Sequence, residues 1–182
     1  MSDDLLDLYS DYLIVENRYA TATGLSASLD QRISHDKITG FLSAREYDSK
    51  TLWGIVKKKV REVEQDDGVI IFDDTLSEKP YSEESGLVNW HSDHSKGRCV
   101  KGINILNMLY RVSEMSIPIG FEIVKKAIGP MDLSKSKSDQ NKNKQMRKLL
   151  EQAVNNKVVF KWVIADIWYG GAENMGFIKG YL

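Results

Sequence analysis

Two apolar runs that each end at an aspartate limit most strongly how this chain can fold. Residues 69–72 are followed by Asp73 and Asp74, and residues 158–165 are followed by Asp166. A short continuous apolar run is typical of a central strand that is covered on both faces. A carboxylate at the end of such a strand is held rigidly at the edge of the sheet. If the sheet brings these strands together, their aspartates form a site suited to a divalent metal ion.

Composition restricts the class of protein. The 182 residues are enough for one domain, or for one domain with a small helical appendage. With 42% hydrophobic and 28% charged residues the chain is typical of a globular protein, and no apolar run approaches the roughly 20 residues that span a bilayer. The acidic N-terminus lacks the basic start of a signal peptide, so we expect a cytoplasmic protein without a membrane partner. A single cysteine, Cys99, excludes an internal disulfide and a thiolate metal site.

The net charge of −1 conceals a basic segment. From Lys125 to Lys161 there are ten lysines and arginines but only three acidic residues. Such a segment could follow a phosphate backbone. A solvated linker and helix face is the alternative interpretation, and charge alone does not separate the two.

Residues 1–64 are predicted to be helical and to form a separate region. Residues 21–30 can form one short helix, Ser34 can cap a second, and Ser49 can cap a third. Polar residues on the outer face of the second helix would be suited to reading DNA in a helix-turn-helix arrangement, although short helix pairs also serve as plain packing units. The candidate DNA contacts of this region are Ser34, His35, Lys37 and Thr39.

Residues 65–182 show a different pattern, which predicts an α/β fold. Strands are expected at residues 69–72, 100–112 and 117–124, then a helix at 144–155 and a strand at 158–165, with 76–98 as a polar excursion. The ribonuclease-H-like fold begins in this order: it has three antiparallel strands, then a crossover helix, and then a fourth strand that lies parallel to the first. We therefore predict an incomplete mixed sheet of this type. In it, Asp74 and Asp166 lie side by side, although 92 positions separate them.

Phosphodiester cleavage is the chemistry that such carboxylates support. Two magnesium ions about 4 Å apart can activate the attacking oxygen and stabilise the leaving oxygen. Asp73 competes with Asp74 for this role, but neighbouring strand residues face opposite ways, so only one can point into the site. The alternative is that each aspartate is only a turn or cap residue.

Polar residues of the 76–98 excursion are candidates for contact with DNA near the scissile phosphate. A zinc site is an alternative for its histidines, but no third histidine lies close by in the sequence. Lys79 could face a phosphate or lie in a polar turn. The candidate DNA contacts of this segment are Lys79, His91, His94, Lys96 and Arg98.

Several stretches resemble the insertion-sequence transposases of the DDE superfamily, in the group related to insertion sequence four. In the N-terminal region these are Thr23-Gly24-Leu25-Ser26 and Ile33 to Ser43. Asp73-Asp74-Thr75 with Glu78-Lys79-Pro80 resembles the first catalytic aspartate motif. Residues 89–98, followed by Gly102-Ile103-Asn104, resemble the segment that leads into the second strand. Ala165-Asp166-Ile167-Trp168-Tyr169 with Glu173-Asn174-Met175 is similar to the second aspartate motif, in which serine is more usual at position 167.

This resemblance implies the catalytic residues, the cofactor and the partners. Asp74 and Asp166 would be the first two catalytic carboxylates and would bind Mg²⁺ or Mn²⁺. Double-stranded DNA, as element ends and target, would be the substrate, and a homodimer or a mixed oligomer with a full-length transposase could form. The family's third carboxylate, a glutamate on a later helix, has no counterpart here, since Glu173 is too close to Asp166.

Three functions are therefore expected from the sequence. The leading expectation is a C-terminally truncated transposase that is inactive on its own, with residues 1–64 as its DNA-binding region and 65–182 as a partial catalytic domain. The second is a non-catalytic DNA-binding remnant, or an inhibitor of an intact transposase. The third is a generic ribonuclease-H-like nuclease.

Overall fold

The computed structural model describes residues 2–16, 20–44, 46–93, 96–126 and 141–181. The chain divides into two compact units, Met1–Tyr47 and Asp48–Leu182. Within the described residues, no helix combines the length and the apolar character needed to cross a membrane.

The first unit is helical and closes around a small apolar core of Tyr12, Leu25 and Ile38. Ser34 accepts a hydrogen bond at Oγ from the backbone N–H of Lys37 at 3.3 Å, which confirms its predicted role as a helix cap. Its helices are α1 (Ser2–Val15), α2 (Ala22–Ser28) and α3 (His35–Ser43).

The second unit contains a five-stranded sheet with helices packed against it. After β5 the chain forms one turn of 3-10 helix, Ile167–Tyr169. The strands and helices are α4 (Ser49–Val63), β1 (Val69–Glu78), β2 (Asn89–Asp93), β3 (Arg98–Val112), β4 (Met115–Ile123), α5 (Lys142–Asn155), β5 (Trp162–Ala165) and α6 (Ala172–Lys179).

The long strand β3 organises the sheet. Along one side it pairs antiparallel with β1, from Val69 opposite Arg111 to Glu78 opposite Gly102. Along its other side it pairs antiparallel with β4 and then with β2. The crossover through α5 places β5 parallel to β1. This mixed sheet confirms the predicted α/β class and is consistent with a ribonuclease-H-like fold.

One face of the sheet forms the main apolar core. Ile70 and Phe72 of β1 are buried there, because alternate residues of a strand point to the same face. Leu149 and Leu150 of α5 cover them, as the helical spacing of the sequence predicted. This packing fixes α5 against β3 and β4, and so sets the position of the residues at its N-terminus.

The helix α4 belongs to the second unit. It packs against β4, and Trp53 and Val60 join the main core. The prediction that Ser49 caps this helix is wrong by one residue: Asp48 is the cap and accepts from the backbone N–H of Thr51 at 2.8 Å. Ser49 instead accepts at Oγ from the N–H of Phe121 in β4, at 2.6 Å. The predicted boundary at residue 64 groups α4 with the N-terminal helices, whereas its contacts are with the sheet.

The segment 76–98 differs from its prediction as a polar excursion. β1 extends to Glu78, and residues 89–93 form the short strand β2. Its five residues include two aromatic rings but no continuous apolar run, so the sequence pattern was weak. Pairing with the long strand β3 stabilises β2 despite this composition.

The close approach of β1 and β3 at Gly102 predicts a large effect of adding one methyl group there. A Cβ at Gly102 would collide with the backbone carbonyl of Ser77, which cannot move without breaking the ladder. Gly102→Ala is expected to lower the free energy of unfolding by about 1 to 3 kcal/mol. Gly54→Ala is the control, because its Cβ would meet open space on an exposed face of α4 and is expected to raise stability by about 0.5 to 1 kcal/mol. Urea denaturation of both variants measures the difference, and equal midpoints would contradict the assigned register.

Candidate active site

Asp74 lies at the point where β1 continues beyond its parallel neighbour. The pairing of β1 with β5 ends at Phe72 opposite Ala165, whereas β1 itself continues to Glu78 beside β3. The sequence placed Asp74 just after the end of its strand, and the structure places it inside a longer one. The consequence is a more rigid carboxylate, because Asp74 stands opposite Leu106 in the antiparallel ladder.

Both carboxylate oxygens of Asp74 are engaged. Oδ2 accepts from Lys142 Nζ at 2.8 Å, and Oδ1 accepts from the Tyr169 hydroxyl at 3.0 Å. About 29% of the Asp74 side chain is exposed, so the carboxylate remains open to solvent on one side. The neighbouring Asp73 is exposed on the other face of the sheet, as strand alternation requires.

Asp166 follows β5 and begins the short 3-10 helix. Its Oδ1 accepts from the backbone N–H of Trp168 at 2.9 Å, and its carbonyl accepts from the N–H of Tyr169 at 2.9 Å. This tight turn directs the Tyr169 ring back into the core, where its hydroxyl reaches Asp74. Asp166 is therefore the N-cap of the 3-10 helix, as the alternative interpretation of the sequence allowed, and this role uses one oxygen of its carboxylate.

The hydroxyl of Tyr169 is buried beside Asp74. The pKa of the Tyr169 hydroxyl is raised. Burial is the largest cause, and the negative charge of Asp74 and the hydrogen bond to Asp74 come next. The charges of Asp166 and Asp73 contribute least. The hydroxyl therefore keeps its proton and donates to Asp74. The structure thus brings Asp74 and Asp166 to the same end of two neighbouring strands, and Tyr169 is hydrogen-bonded to both residues.

This donor set fits a divalent cation such as Mg²⁺. Magnesium prefers hard oxygen ligands, keeps several waters and needs only one or two protein carboxylates. A cation, the Lys142 ammonium, already lies against Asp74 Oδ2, so the position is favourable for positive charge. Asp166 would supply its second oxygen. Within the described residues, no group of three or more histidine, cysteine or acidic side chains could hold a metal.

Asn174 fixes the turn that carries Tyr169. It is buried, and its Nδ2 donates to the carbonyl of Tyr169 and to Asn143 Oδ1, both at 2.9 Å. Its Oδ1 accepts from the Arg147 guanidinium at 2.7 Å. Asn174 therefore ties α6 and the 3-10 turn to α5.

Sequence reasoning did not identify Lys142, Tyr169 or Asn174 as site residues. Tyr169 and Asn174 belong to stretches that resemble the second aspartate motif, and this resemblance could have identified them as site residues. Nothing in the sequence near Lys142 distinguishes it from the other lysines of the basic segment.

A polar layer lies on the same face of the sheet as Asp74. Strand register places Asn104 of β3 and His91 of β2 on this face, and Gln145 reaches the sheet side from α5. All three side chains are buried. Each has an atom without a hydrogen-bond partner among the described residues: His91 Nε2, Asn104 Oδ1 and Gln145 Oε1.

The structure corrects the expected role of His91. Only 6% of this residue is exposed, whereas a direct DNA contact needs an accessible ring. Burial lowers the pKa of His91 to about 4, and the positive charges of Lys126 and Lys142 contribute. His91 is therefore a neutral core residue at neutral pH. The sequence missed this because the short strand that buries it was not predicted.

The pKa of His91 predicts a pH dependence of stability. Because the pKa is lowered from 6.5 to about 4 on folding, unfolding takes up a proton between these values. The contribution of His91 to stability is present above pH 6.5 and is lost as pH falls to about 4, by up to about 3 kcal/mol. His91→Gln is expected to lose less stability than the parent over this interval, measured by urea denaturation at several pH values. Parallel curves for the two proteins would contradict the burial of a neutral His91.

The other predicted DNA contacts of the second unit lie on the surface. Lys79, Lys96 and Arg98 are exposed, and Lys96 pairs with Glu78 at the end of β1. His94 lies outside the described residues. Exposed cations of this kind are compatible with phosphate contact.

The predicted DNA contacts of the first unit surround the start of α3. Ser34, His35, Lys37 and Thr39 are all exposed, and Ile38 between them is buried. His35 Nε2 lies 3.2 Å from Asp36 Oδ1. The exposed face predicted for this helix is therefore present.

Comparison with known proteins gives one result at the level of family. The family model described as DDE superfamily endonuclease matches residues 1–178. A search of curated proteins found no match, and neither did a search of solved structures. Because the family match spans nearly the whole chain and the sheet carries two aspartates at one edge, this protein belongs to the DDE superfamily endonucleases.

Proposed function

We propose that this protein is a transposase of the insertion-sequence type, related to insertion sequence four, that cleaves element ends and joins them to target DNA. The family supports endonuclease chemistry on DNA, and DDE-type endonuclease domains generally use divalent metal ions. The observation that carries the proposal is the parallel pairing of β1 with β5, because it brings Asp74 and Asp166 to one edge of the sheet.

In this proposal Asp74 and Asp166 are the protein ligands of Mg²⁺ or Mn²⁺. The metal supplies charge neutralisation at the phosphate and activation of the attacking oxygen. The protein contributes rigid positions: Asp74 is fixed inside an antiparallel ladder, and Asp166 is fixed by its bond to the N–H of Trp168. Preset ligand positions reduce the reorganisation needed when metal and DNA bind.

The N-terminal helices are proposed to bind DNA. Exposed polar residues at the start of α3 are suited to base edges or phosphates. Lys79, Lys96 and Arg98 would add phosphate contacts beside the carboxylates. Because its proposed substrate is double-stranded DNA, we place the protein in the cytoplasm.

Strand transfer by this chain alone is expected to be weak. Asp74 and Asp166 are the two carboxylates assigned to the site, whereas the resemblance implies three, and the lack of one metal ligand is expected to slow the chemical step strongly. In this proposal a homodimer, or a mixed oligomer with another transposase, supplies the additional group.

A second candidate function is supported by the pairing of Asp74. Because Lys142 and Tyr169 already satisfy this carboxylate, the fold is stabilised without any metal. The protein could then bind DNA without chemistry and inhibit an intact transposase by competition.

Binding to the DNA that flanks the coding sequence tests the proposal. The purified chain is mixed with labelled flanking DNA, with and without Mg²⁺, and analysed by gel shift and by denaturing gel. We expect binding that weakens with Lys37→Ala, and cleavage near background that rises with Mn²⁺. Binding that persists in Asp74→Asn, without cleavage in any variant, would favour the inhibitor. Cleavage of an RNA–DNA hybrid but not of duplex DNA would identify a ribonuclease-H-like nuclease and contradict the transposase.

A further inference from the structure

The contact between Lys142 and Asp74 places an internal cation at the carboxylate that the proposed metal must use. Lys142 Nζ lies 2.8 Å from Asp74 Oδ2, and both side chains are only partly exposed, at 27% and 29%. Lys142 is the first residue of α5, and the following turn is fixed by the buried residues Gln145 and Met146. The ammonium is therefore held near Asp74 by the fold and does not depend on a freely moving surface side chain.

A metal ion and this ammonium compete for the same oxygen. The other oxygen of Asp74 already accepts a hydrogen bond from the Tyr169 hydroxyl, at 3.0 Å. A divalent ion bound directly at Oδ2 must therefore replace Lys142, because two cations in contact with one oxygen repel strongly in a partly buried site.

A second lysine lies nearby without touching the carboxylate. Lys126 Nζ donates to the carbonyl of Trp90 at 2.5 Å, and the pKa of Lys126 is lowered first by burial and then by the charge of Lys142. Lys126 therefore adds positive electrostatic potential near Asp74, but its ammonium binds the carbonyl of Trp90 and not the Asp74 carboxylate. This difference between a cation in contact and a cation nearby makes the competition testable.

We propose that Lys142 is an internal counter-ion of Asp74 that a divalent metal ion must displace, so that this lysine sets the metal affinity of the site. The proposal rests on the proposed function, since it takes Asp74 as a metal ligand. Lys142 acts through Asp74 and is a positioning residue: it holds the carboxylate in place without metal and lowers the affinity for metal.

Mn²⁺ binding to three lysine variants tests this role. Free Mn²⁺ is measured by electron paramagnetic resonance during titration of the full chain, without DNA. Lys142→Met is expected to bind Mn²⁺ at least about threefold more tightly, because the competing ion pair is removed. Lys126→Met is expected to change affinity by less than about twofold, since only screened repulsion is lost. Lys148→Met is the remote control on the same helix, where Lys148 pairs with Glu122 at 2.6 Å, and no change is expected.

The Asp74→Asn variant separates failure of this proposal from failure of the proposed function. If the parent binds Mn²⁺ through Asp74 and Lys142→Met leaves the affinity unchanged or weaker, the counter-ion proposal is wrong and the metal site stands. If Mn²⁺ binding is absent, or is unaffected by Asp74→Asn, both are wrong.

A measurement on the unsubstituted chain covers the case in which Lys142→Met does not fold. Displacement by Mn²⁺ frees the Lys142 amine, so its acetylation by an amine-reactive reagent should rise when Mn²⁺ is added. The extent of modification is read at each lysine by mass spectrometry, with Lys148 as the internal reference. Equal acetylation of Lys142 with and without saturating Mn²⁺ would overturn the proposal.

Discussion

Replacing Asp74 with asparagine is expected to reduce Mn²⁺ affinity by at least about tenfold, which corresponds to about 1.4 kcal/mol. Asparagine keeps the shape of the side chain and one carbonyl oxygen, but it removes the negative charge that attracts the metal. The weak Mn²⁺-dependent cleavage expected of the parent should fall to background, because the metal that activates the attacking oxygen loses a ligand. Titration with Mn²⁺ and a nicking assay on supercoiled DNA measure the two effects.

Asp73 provides the matched control for this prediction. It is the neighbouring residue with the same charge, but it is exposed on the opposite face of the sheet. Asp73→Asn removes the same charge from nearly the same place and is expected to lower Mn²⁺ affinity by less than about twofold, because only a screened attraction is lost. Equal losses for the two variants would show that general charge, and not the orientation of Asp74, determines metal binding.

Truncating Tyr169 is expected to have the largest effect on stability. The residue is 1% exposed and joins the main core, while its hydroxyl donates to Asp74. Tyr169→Ala leaves a cavity and is expected to lower the free energy of unfolding by about 3 to 5 kcal/mol. Such a loss is a large part of the roughly 5 to 15 kcal/mol that stabilises a domain. Urea denaturation followed by circular dichroism measures it.

The Tyr169→Phe variant separates the ring from the hydroxyl. Phenylalanine fills the same space, and Asp74 keeps its ion pair with Lys142. The expected loss is therefore only about 1 kcal/mol, for one hydrogen bond. If Tyr169→Phe were as unstable as Tyr169→Ala, the hydrogen bond to Asp74 and not the packing of the ring would be the main contribution.

The strands with continuous apolar residues were predictable from the sequence. Ile70 and Phe72 belong to a run that admits few alternatives, and the helical spacing of Met146, Leu149 and Leu150 identified the face of α5 that covers the sheet. The spacing of apolar residues indicates which face of a helix or strand is buried, so the mixed sheet and its crossover could be inferred from the sequence.

The strand that contains His91 shows where this reasoning fails. Its five residues include two aromatic rings and three polar side chains, a pattern that fits a loop as well as a strand. Its formation depends on pairing with a distant strand, and sequence windows do not report tertiary pairing. Because β2 was not predicted, His91 was expected to be accessible when in fact it is buried.

The partners of Asp74 were not predictable for a related reason. Lys142 lies 68 positions away and Tyr169 lies 95 positions away, so only the folded arrangement of α5 and the 3-10 turn brings them to the carboxylate. The sequence directed attention to Asp74 and Asp166, but it could not indicate which charges and hydrogen bonds surround them.

The central claim is that Asp74 and Asp166 lie against the same metal ion, and iron-directed cleavage of the protein tests it most directly. Fe²⁺ takes the place of Mg²⁺, and with ascorbate and peroxide it generates radicals that cut the backbone near the ion. We predict cuts close to both Asp74 and Asp166, read by mass spectrometry, and their loss with excess Mg²⁺ or in Asp74→Asn. Cuts at only one of these positions, or cuts that persist in Asp74→Asn, would contradict a shared metal site.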